Sequence, residues 1–462
     1  MKNNEGIISL PCEILMKIFE HLSHKDLAHS SLVCRRWRTI GEDPIFWKNF
    51  KLLVNDENIE HFYEIITMRR LSNVPSIMFE NIVLEDGHLQ ALKKTRIVNV
   101  RMSRSDTFDL DCDSTRISAN IFAEVINNLE TFDFYNWDIQ LTEPQLTQLF
   151  MKMREGTNLK KLEVLNDQNL HKIPQNTLAV GLNKIRSLTL MCQDIHEESQ
   201  FSFEHFFSHM KIESNVEELD ISYNNLSYIA PDLLSTALNK VEKINLFHTE
   251  LTEAQLESLL TRMSKGTAVK NLDIESHTTL QDIQPQLLAS VVNNLESVNL
   301  GFTSLGQQHI EILFQLMKTK TNLKSLNIRG ERNVCSVNPS LFAEALNKVK
   351  TVNLTRCHLD KQHLKLLFEK IVDNTNIEEL QLAENDLSEI PAKQLSECVR
   401  CLKIVNFSKT SLLKNQIIRI LRDIKNSNTA ILTKNLDLRN KFESLPEELI
   451  KCVRNRIEIL NV

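Results

Sequence analysis

Cysteine, histidine and glycine would carry most of the chemistry open to this chain of 462 residues, and none is arranged to do so. Cys398 and Cys401 form the one Cys-x-x-Cys spacing suited to redox or metal work. No second Cys or His pair stands at zinc spacing, so it reads as a coincidence at a helix end. The 14 histidines are dispersed without pairing on a helix face. No GxxxxGK[ST], HExxH or GxSxG occurs, and 9 glycines supply no phosphate loop. The expectation is a chain that is not an enzyme and needs no cofactor or metal. Asn225, Asn353 and Asn406 begin glycosylation sequons, but without a secretory signal they read as backbone-ladder and sheet residues.

One polar column is regular. Asp133, Glu163, Thr189, Asp220, Asn245, Asp273, Asn299, Asn327, Asn353, Gln381, Asn406 and Asp437 each stand four places after an apolar residue that opens a short strand pattern. That pattern has apolar residues at offsets 0, 3 and 5, as in Val241, Ile244 and Leu246. It opens at Val74, Ile97, Leu129, Leu159, Ile185, Val216, Val241, Val269, Leu295, Leu323, Val349, Ile377, Leu402, Thr433 and Ile457. Side chains alternate across a strand, so offsets 2, 4 and 6 point outward. Offset 6 brings Tyr135, Leu165, Met191, Ser222, Phe247, Glu275 and Gly301 to the same face, while Glu218 adds acid and Lys161 and Lys243 oppose it. An acidic face with apolar anchors suits a protein client with a basic segment. The expected client-binding residues are Asp133, Tyr135, Glu163, Leu165, Met191, Glu218, Asp220, Phe247 and Asp273.

A helix stripe follows each strand in alternate units. Leu256, Leu259, Leu260 and Met263 lie at helical spacing behind Thr252 and Gln255, which form a capping box. The other unit type places Pro231, Pro285, Pro339 and Pro391 just inside a helix start, and its helices end in Asn-Lys or Asn-Asn. Spacings of 28 and 26 residues alternate from 241 to 349. Val216, Leu219, Ile221, Asn224, Leu226 and Ile377, Leu380, Leu382, Asn385, Leu387 complete L-x-x-L-x-L-x-x-N-x-L. Elsewhere Thr249, Thr303, Cys357 or Thr410 takes the asparagine place. The pattern resembles leucine-rich repeats of the ribonuclease-inhibitor kind. It implies an α/β horseshoe solenoid, a curved parallel sheet with helices outside, over residues 74–462.

Residues 1–50 differ in kind. Ile14, Leu15, Ile18, Phe19 and Leu22 have helical spacing, a break follows at Ser23 to Lys25, and Leu27, Leu32, Val33, Trp37 and Trp47 come after it. So small a helical domain cannot hide so many apolar groups by itself, which points to a partner. Leu10, Pro11, Ile14, Leu15, Ile18, Phe19, Leu22, Asp26, Leu27, Val33, Cys34, Trp37 and Trp47 follow the F-box pattern, and the segment resembles an F-box, a small all-α domain. That resemblance implies docking on a Skp-type adaptor, and through it a cullin, by Leu10, Pro11, Ile14, Leu15, Ile18, Phe19, Leu22, Leu27, Val33, Cys34 and Trp37. The implied role is substrate-recognition subunit of a Skp–cullin–F-box ubiquitin ligase. The alternative is a repeat scaffold or inhibitor not coupled to ubiquitination.

Residues 51–73 are helical in pattern without Gly/Ser richness, a linker that holds the two domains in fixed relation. A net charge of −6 argues against nucleic acid as partner. Pro11 and Glu13 make the first apolar run a poor signal peptide, no run approaches the ~20 residues of a membrane span, and the odd cysteine count suits a reduced compartment. A location in cytoplasm or nucleus, away from membranes, is expected.

Overall fold

The computed structural model describes residues 10–71, 74–103, 116–135, 141–165, 170–191, 202–427, 433–439, 445–454 and 456–461, with backbone alone at 69, 103, 134, 135 and 165. The chain divides into two compact units, Met1–Val216 and Glu217–Val462.

The first unit opens with three helices, α1 (Cys12–Phe19), α2 (His24–Ser30) and α3 (Arg35–Gly41). Ser23 caps α2 through its side chain, which accepts from Asp26 N–H, and the Cys34 sulfur does the same for Trp37 at the start of α3. Leu15, Phe19 and Leu27 fill the space between the helices, and Phe19 meets Trp37 edge-on at 5.4 Å. Trp47 is buried, and its indole N–H donates to Gly41 O at 2.9 Å.

Six parallel strands follow: β1 (Lys51–Val54), β2 (Ser76–Glu80), β3 (Asn99–Ser103), β4 (Thr131–Tyr135), β5 (Lys161–Leu165) and β6 (Ser187–Met191). β1 corrects the sequence expectation of a helical linker over 51–73, because Lys51 to Val54 pairs in register with Ser76 to Phe79. Leu52 and Val54 alternate inward over a run too short for a 3.6-residue period to contradict. The helical part of that segment is Phe62–Thr67, with Phe62 buried against Phe79.

The second unit holds β7 (Glu218–Asp220), β8 (Lys243–Asn245), β9 (Asn271–Asp273), β10 (Ser297–Asn299), β11 (Ser325–Asn327), β12 (Thr351–Asn353), β13 (Glu379–Gln381), β14 (Ile404–Asn406), β15 (Asn435–Asp437) and β16 (Ile459–Asn461), all parallel and in chain order. Every opening residue from Val74 to Ile457 leads into one of these strands. The stripe Leu256, Leu259, Leu260 and Met263 is buried on the helix Glu253–Ser264, and Thr252 and Gln255 form the expected capping box. Pro231, Pro285 and Pro339 sit in the first turn of their helices, while Pro391 falls one place earlier at the cap. Each unit thus carries parallel strands and helices in the leucine-rich-repeat pattern, and the first unit also holds the small helical domain.

Side chains lock one repeat to the next. The Asn that ends alternate helices donates to the end of the following helix, Asn239 to Gly266 O at 2.9 Å and Asn347 to Asn374 O at 2.9 Å. Gln255 also donates to Ile229 O at 2.6 Å, and Gln416 to Ile390 O at 2.7 Å. At the asparagine place, Thr249, Thr303 and Thr410 donate to the carbonyls of Leu246, Leu300 and Phe407, and Cys357 to Ile328 O at 3.2 Å. Burial pushes the Cys357 thiol up to about 12, and Cys398 also far above its usual value, so both are inert packing groups.

Candidate functional site

Two surfaces carry the expected site residues. On the helical domain, Leu15, Phe19 and Leu27 are core. This corrects their assignment as adaptor contacts: side chains used to join α1, α2 and α3 cannot also face a partner. Cys34 is occupied as the α3 cap, and Trp37 packs on Phe19. Ile14 is 43% exposed and Val33 58%, Pro11 is exposed, and Leu10, Ile18 and Leu22 are half-buried. The Arg36 guanidinium bonds to Leu10 O and reaches Cys12 Sγ at 3.4 Å, which fixes the Leu10–Pro11 entry against α3. Leu32, which the expected set omits, is 73% exposed beside Val33 in the turn between α2 and α3. Three apolar groups in water on so small a domain are the signature of a surface built to be covered.

The client column lies on strands of both units. In the first, Asp133 and Glu163 face each other in register on β4 and β5, and Lys161 bridges them, its ammonium 4.0 Å from Asp133 and paired with Glu163. Burial, then the Glu163 charge, pushes the Asp133 carboxyl above its ordinary 3.8, with Lys161 and Arg101 opposing. A carboxyl raised by folding favours the fold while protonated and loses that contribution as pH rises through its native pKa. Asp133→Asn is therefore expected to raise the urea midpoint at pH 7, with the gain vanishing as pH falls below 3.8. Met191 is half-buried on β6, and the side chains of Tyr135 and Leu165 lie outside the described residues.

In the second unit the acidic column is engaged by the repeats themselves. Glu218 pairs with Lys243. Asp220 accepts from Ser222 N–H at 3.0 Å and from Asn245 Nδ2 at 2.9 Å, and Asp273 accepts from Glu275 N–H at 3.0 Å and Asn299 Nδ2 at 2.8 Å. The same bond to the residue two places on is made by Asn245, Asn299, Asn327, Asn353, Asn406 and Asp437. At these places offset 4 thus holds the turn that ends the strand. Ser222, Glu275 and Gly301, expected to face outward, are buried.

The next residue along is exposed at Tyr223, His248, Arg356 and Lys409 and half-buried in the repeats between them. Tyr223, His248, Ser276, Phe302, Gly330, Arg356, Glu384 and Lys409 all have positive φ. The left-handed turn breaks the two-residue alternation and lets Tyr223 N–H donate to Phe247 O at 2.9 Å, and Ser276 N–H to Gly301 O at 2.9 Å. At Gly330 the column requires glycine, since φ is +76° and a Cβ would stand 2.3 Å from the Phe302 ring. Tyr223 meets Phe247 edge-on at 5.0 Å and stacks on His248 at 5.6 Å, and Phe247 contacts His248 at 4.2 Å. Tyr223 is 40% exposed and Tyr228 50%. Further along, Arg329 pairs with buried Glu275 and lies over the Phe302 ring at 5.0 Å.

Residues 7–52 match the F-box-like family model. A stretch of 119 residues, 26% of this chain and 23% of the relative, is 24% identical to F-box/LRR-repeat protein 21 of Mus musculus. Another of 186 residues, 36% of this chain and 15% of the relative, is 28% identical to NACHT, LRR and PYD domains-containing protein 1a allele 1 of Rattus norvegicus. The chain thus spans less than a quarter of each of these relatives. Among solved structures, the yeast complex of Rad7 and Elc1 is similar at 13% identity and a TM-score of 0.48, over 82% of this chain and 94% of that one. The leucine-rich repeat-containing protein LegL7 of Legionella pneumophila is similar at 16% identity and 0.40, over 61% and 94%. No helix among the described residues is long and apolar enough to cross a membrane.

Proposed function

We propose that this chain, whose residues 7–52 match the F-box-like family model, is an F-box/leucine-rich-repeat protein that acts as the client-binding subunit of a Skp–cullin–F-box ubiquitin ligase. The observation that carries the reading is the F-box-like match over 7–52 together with the uncovered Ile14, Leu32 and Val33. The helical domain docks the Skp-type adaptor, the adaptor brings the cullin, and the repeats hold a protein client. The chain performs no bond chemistry of its own: it raises the local concentration of the client near a ubiquitin-loaded enzyme.

Client capture falls to the Tyr223, Phe247 and His248 cluster, whose rings offer rigid contact area at little entropic cost. The acidic groups around it serve less as free charges than as its frame. A basic client segment would meet the ring faces and Glu250, which is exposed two places after His248. Tyr223→Ala with Phe247→Ala is expected to weaken capture of a client found by proximity labelling by about 2 kcal/mol, roughly thirtyfold. The double variant should also lengthen that client's half-life while leaving adaptor association unchanged. Unchanged capture would remove the cluster from the function.

A further inference from the structure

Cys335, Asp360 and His363 bring a thiol, a carboxylate and an imidazole together, with one donor atom from each lying within 4.8 Å of the others. Cys335 belongs to the 3-10 turn Arg332–Ser336, Asp360 caps the helix Lys361–Asp373, and His363 lies in that helix's first turn. His363 Nε2 stands 2.9 Å from Val337 O, so it carries the ring proton. Its Nδ1 then presents a lone pair, yet the nearest polar atom is Asp360 Oδ1 at 2.9 Å, also an acceptor. Two acceptors at that distance need a cation between them, either a proton or a metal. A ring N–H fixed by a backbone carbonyl is the usual outer support of a metal-bound histidine.

The other repeats show what is particular here. The places that correspond to His363 hold Gln255, His309 and Gln416, and each bonds the preceding repeat's carbonyl, at Ile229, Ile283 and Ile390. The places that correspond to Asp360 hold Thr252, Gly306 and Leu413, and those that correspond to Cys335 hold Ser227, Gln281 and Ser388. The repeat bond to the carbonyl explains a histidine or glutamine at His363, and Asp360 caps the helix by accepting from His363 N–H at 2.9 Å, but of these four repeats this one alone sets a thiol beside a carboxylate and an imidazole. His309 makes the same carbonyl bond with glycine in place of Asp360.

We propose that Cys335, Asp360 and His363 bind a single borderline-soft divalent cation of the zinc class, which pins the Arg332–Ser336 turn to the start of the next helix. Sulfur, nitrogen and oxygen donors in a set of three, with a fourth position for water, suit tetrahedral zinc, whose donors stand about 3.5 Å apart at bond lengths of about 2.0–2.3 Å. The Cys335 thiol now donates to His358 O at 3.1 Å, a bond it gives up as the three donors, all within 4.8 Å of one another, adjust to that spacing. On binding, that thiol releases its proton to solvent and the thiolate takes the cation.

The test is cobalt titration of the reduced, chelator-treated full chain, followed by zinc competition. One equivalent of Co²⁺ is expected to give a thiolate-to-cobalt charge-transfer band with the visible bands of a tetrahedral site, and zinc should abolish them and raise the unfolding midpoint. Cys335→Ser should remove the charge-transfer band. His363→Gln should weaken zinc by at least about tenfold, and it keeps the fold because Gln255 and Gln416 already make the same carbonyl bond. No band in the wild type, a band that survives Cys335→Ser, or equal zinc affinity in His363→Gln would each overturn the proposal and leave an imidazolium–carboxylate pair. Should His363→Gln fail to fold, Cys335→Ser decides alone.

Discussion

Replacement of Glu331 by alanine is expected to cost about 3–5 kcal/mol of unfolding free energy in urea. Glu331 is 1% exposed and occupies the asparagine place of its repeat. Its carboxylate accepts from Thr303 N–H at 2.6 Å, Ser304 N–H at 2.9 Å and Leu305 N–H at 2.8 Å, with the Thr303 hydroxyl at 3.3 Å. Removing it leaves the buried N–H groups of Thr303 and Leu305, and the part-buried one of Ser304, without acceptors. Glu331→Gln keeps the volume but sets an amide N–H against Leu305 N–H, and should cost about 1–3 kcal/mol. Equal stability in all three proteins would mean that water satisfies this loop unaided.

Leu32→Asp with Val33→Asp should weaken adaptor association by at least about a hundredfold, close to 2.7 kcal/mol. The urea midpoint should move by no more than about 0.5 kcal/mol, since both side chains already stand in water. Phe19→Ala is the contrasting variant. It should also lose the adaptor, but through about 3–5 kcal/mol of lost core stability. Measuring stability and association together separates a docking surface from a scaffold beneath it.

The fold was largely legible because each repeat restates it. Strand openings, the Thr252–Gln255 capping box and the prolines all rest on local spacing, and local spacing is visible in a sequence. β1 escaped because four residues carry too little period to outweigh the helix beside them. At the client column the alternation rule failed at a definite point: a left-handed residue just after offset 6 moves exposure from Phe247 to Tyr223 and His248. Among the described residues twelve non-glycine positions have positive φ, and a side chain at such a position gives no local warning, although Gly330 marks the column once. The acidic residues misled for a different reason. Asp220 and Asp273 differ from Asn245 and Asn299 only in charge, and all four make the same turn bond. On the helical domain, resemblance identified the segment but could not divide Leu15, Phe19 and Leu27, which build it, from Ile14, Leu32 and Val33, which remain uncovered.

The most direct test is to mix the purified full chain with a Skp-type adaptor bound to a cullin and to measure the mass and affinity of what forms. The proposed role predicts one copy of each chain with a dissociation constant below about 1 μM, unaffected by Tyr223→Ala and Phe247→Ala and lost in Leu32→Asp with Val33→Asp. A folded wild-type chain that stays apart from the adaptor at ten times that concentration would contradict it.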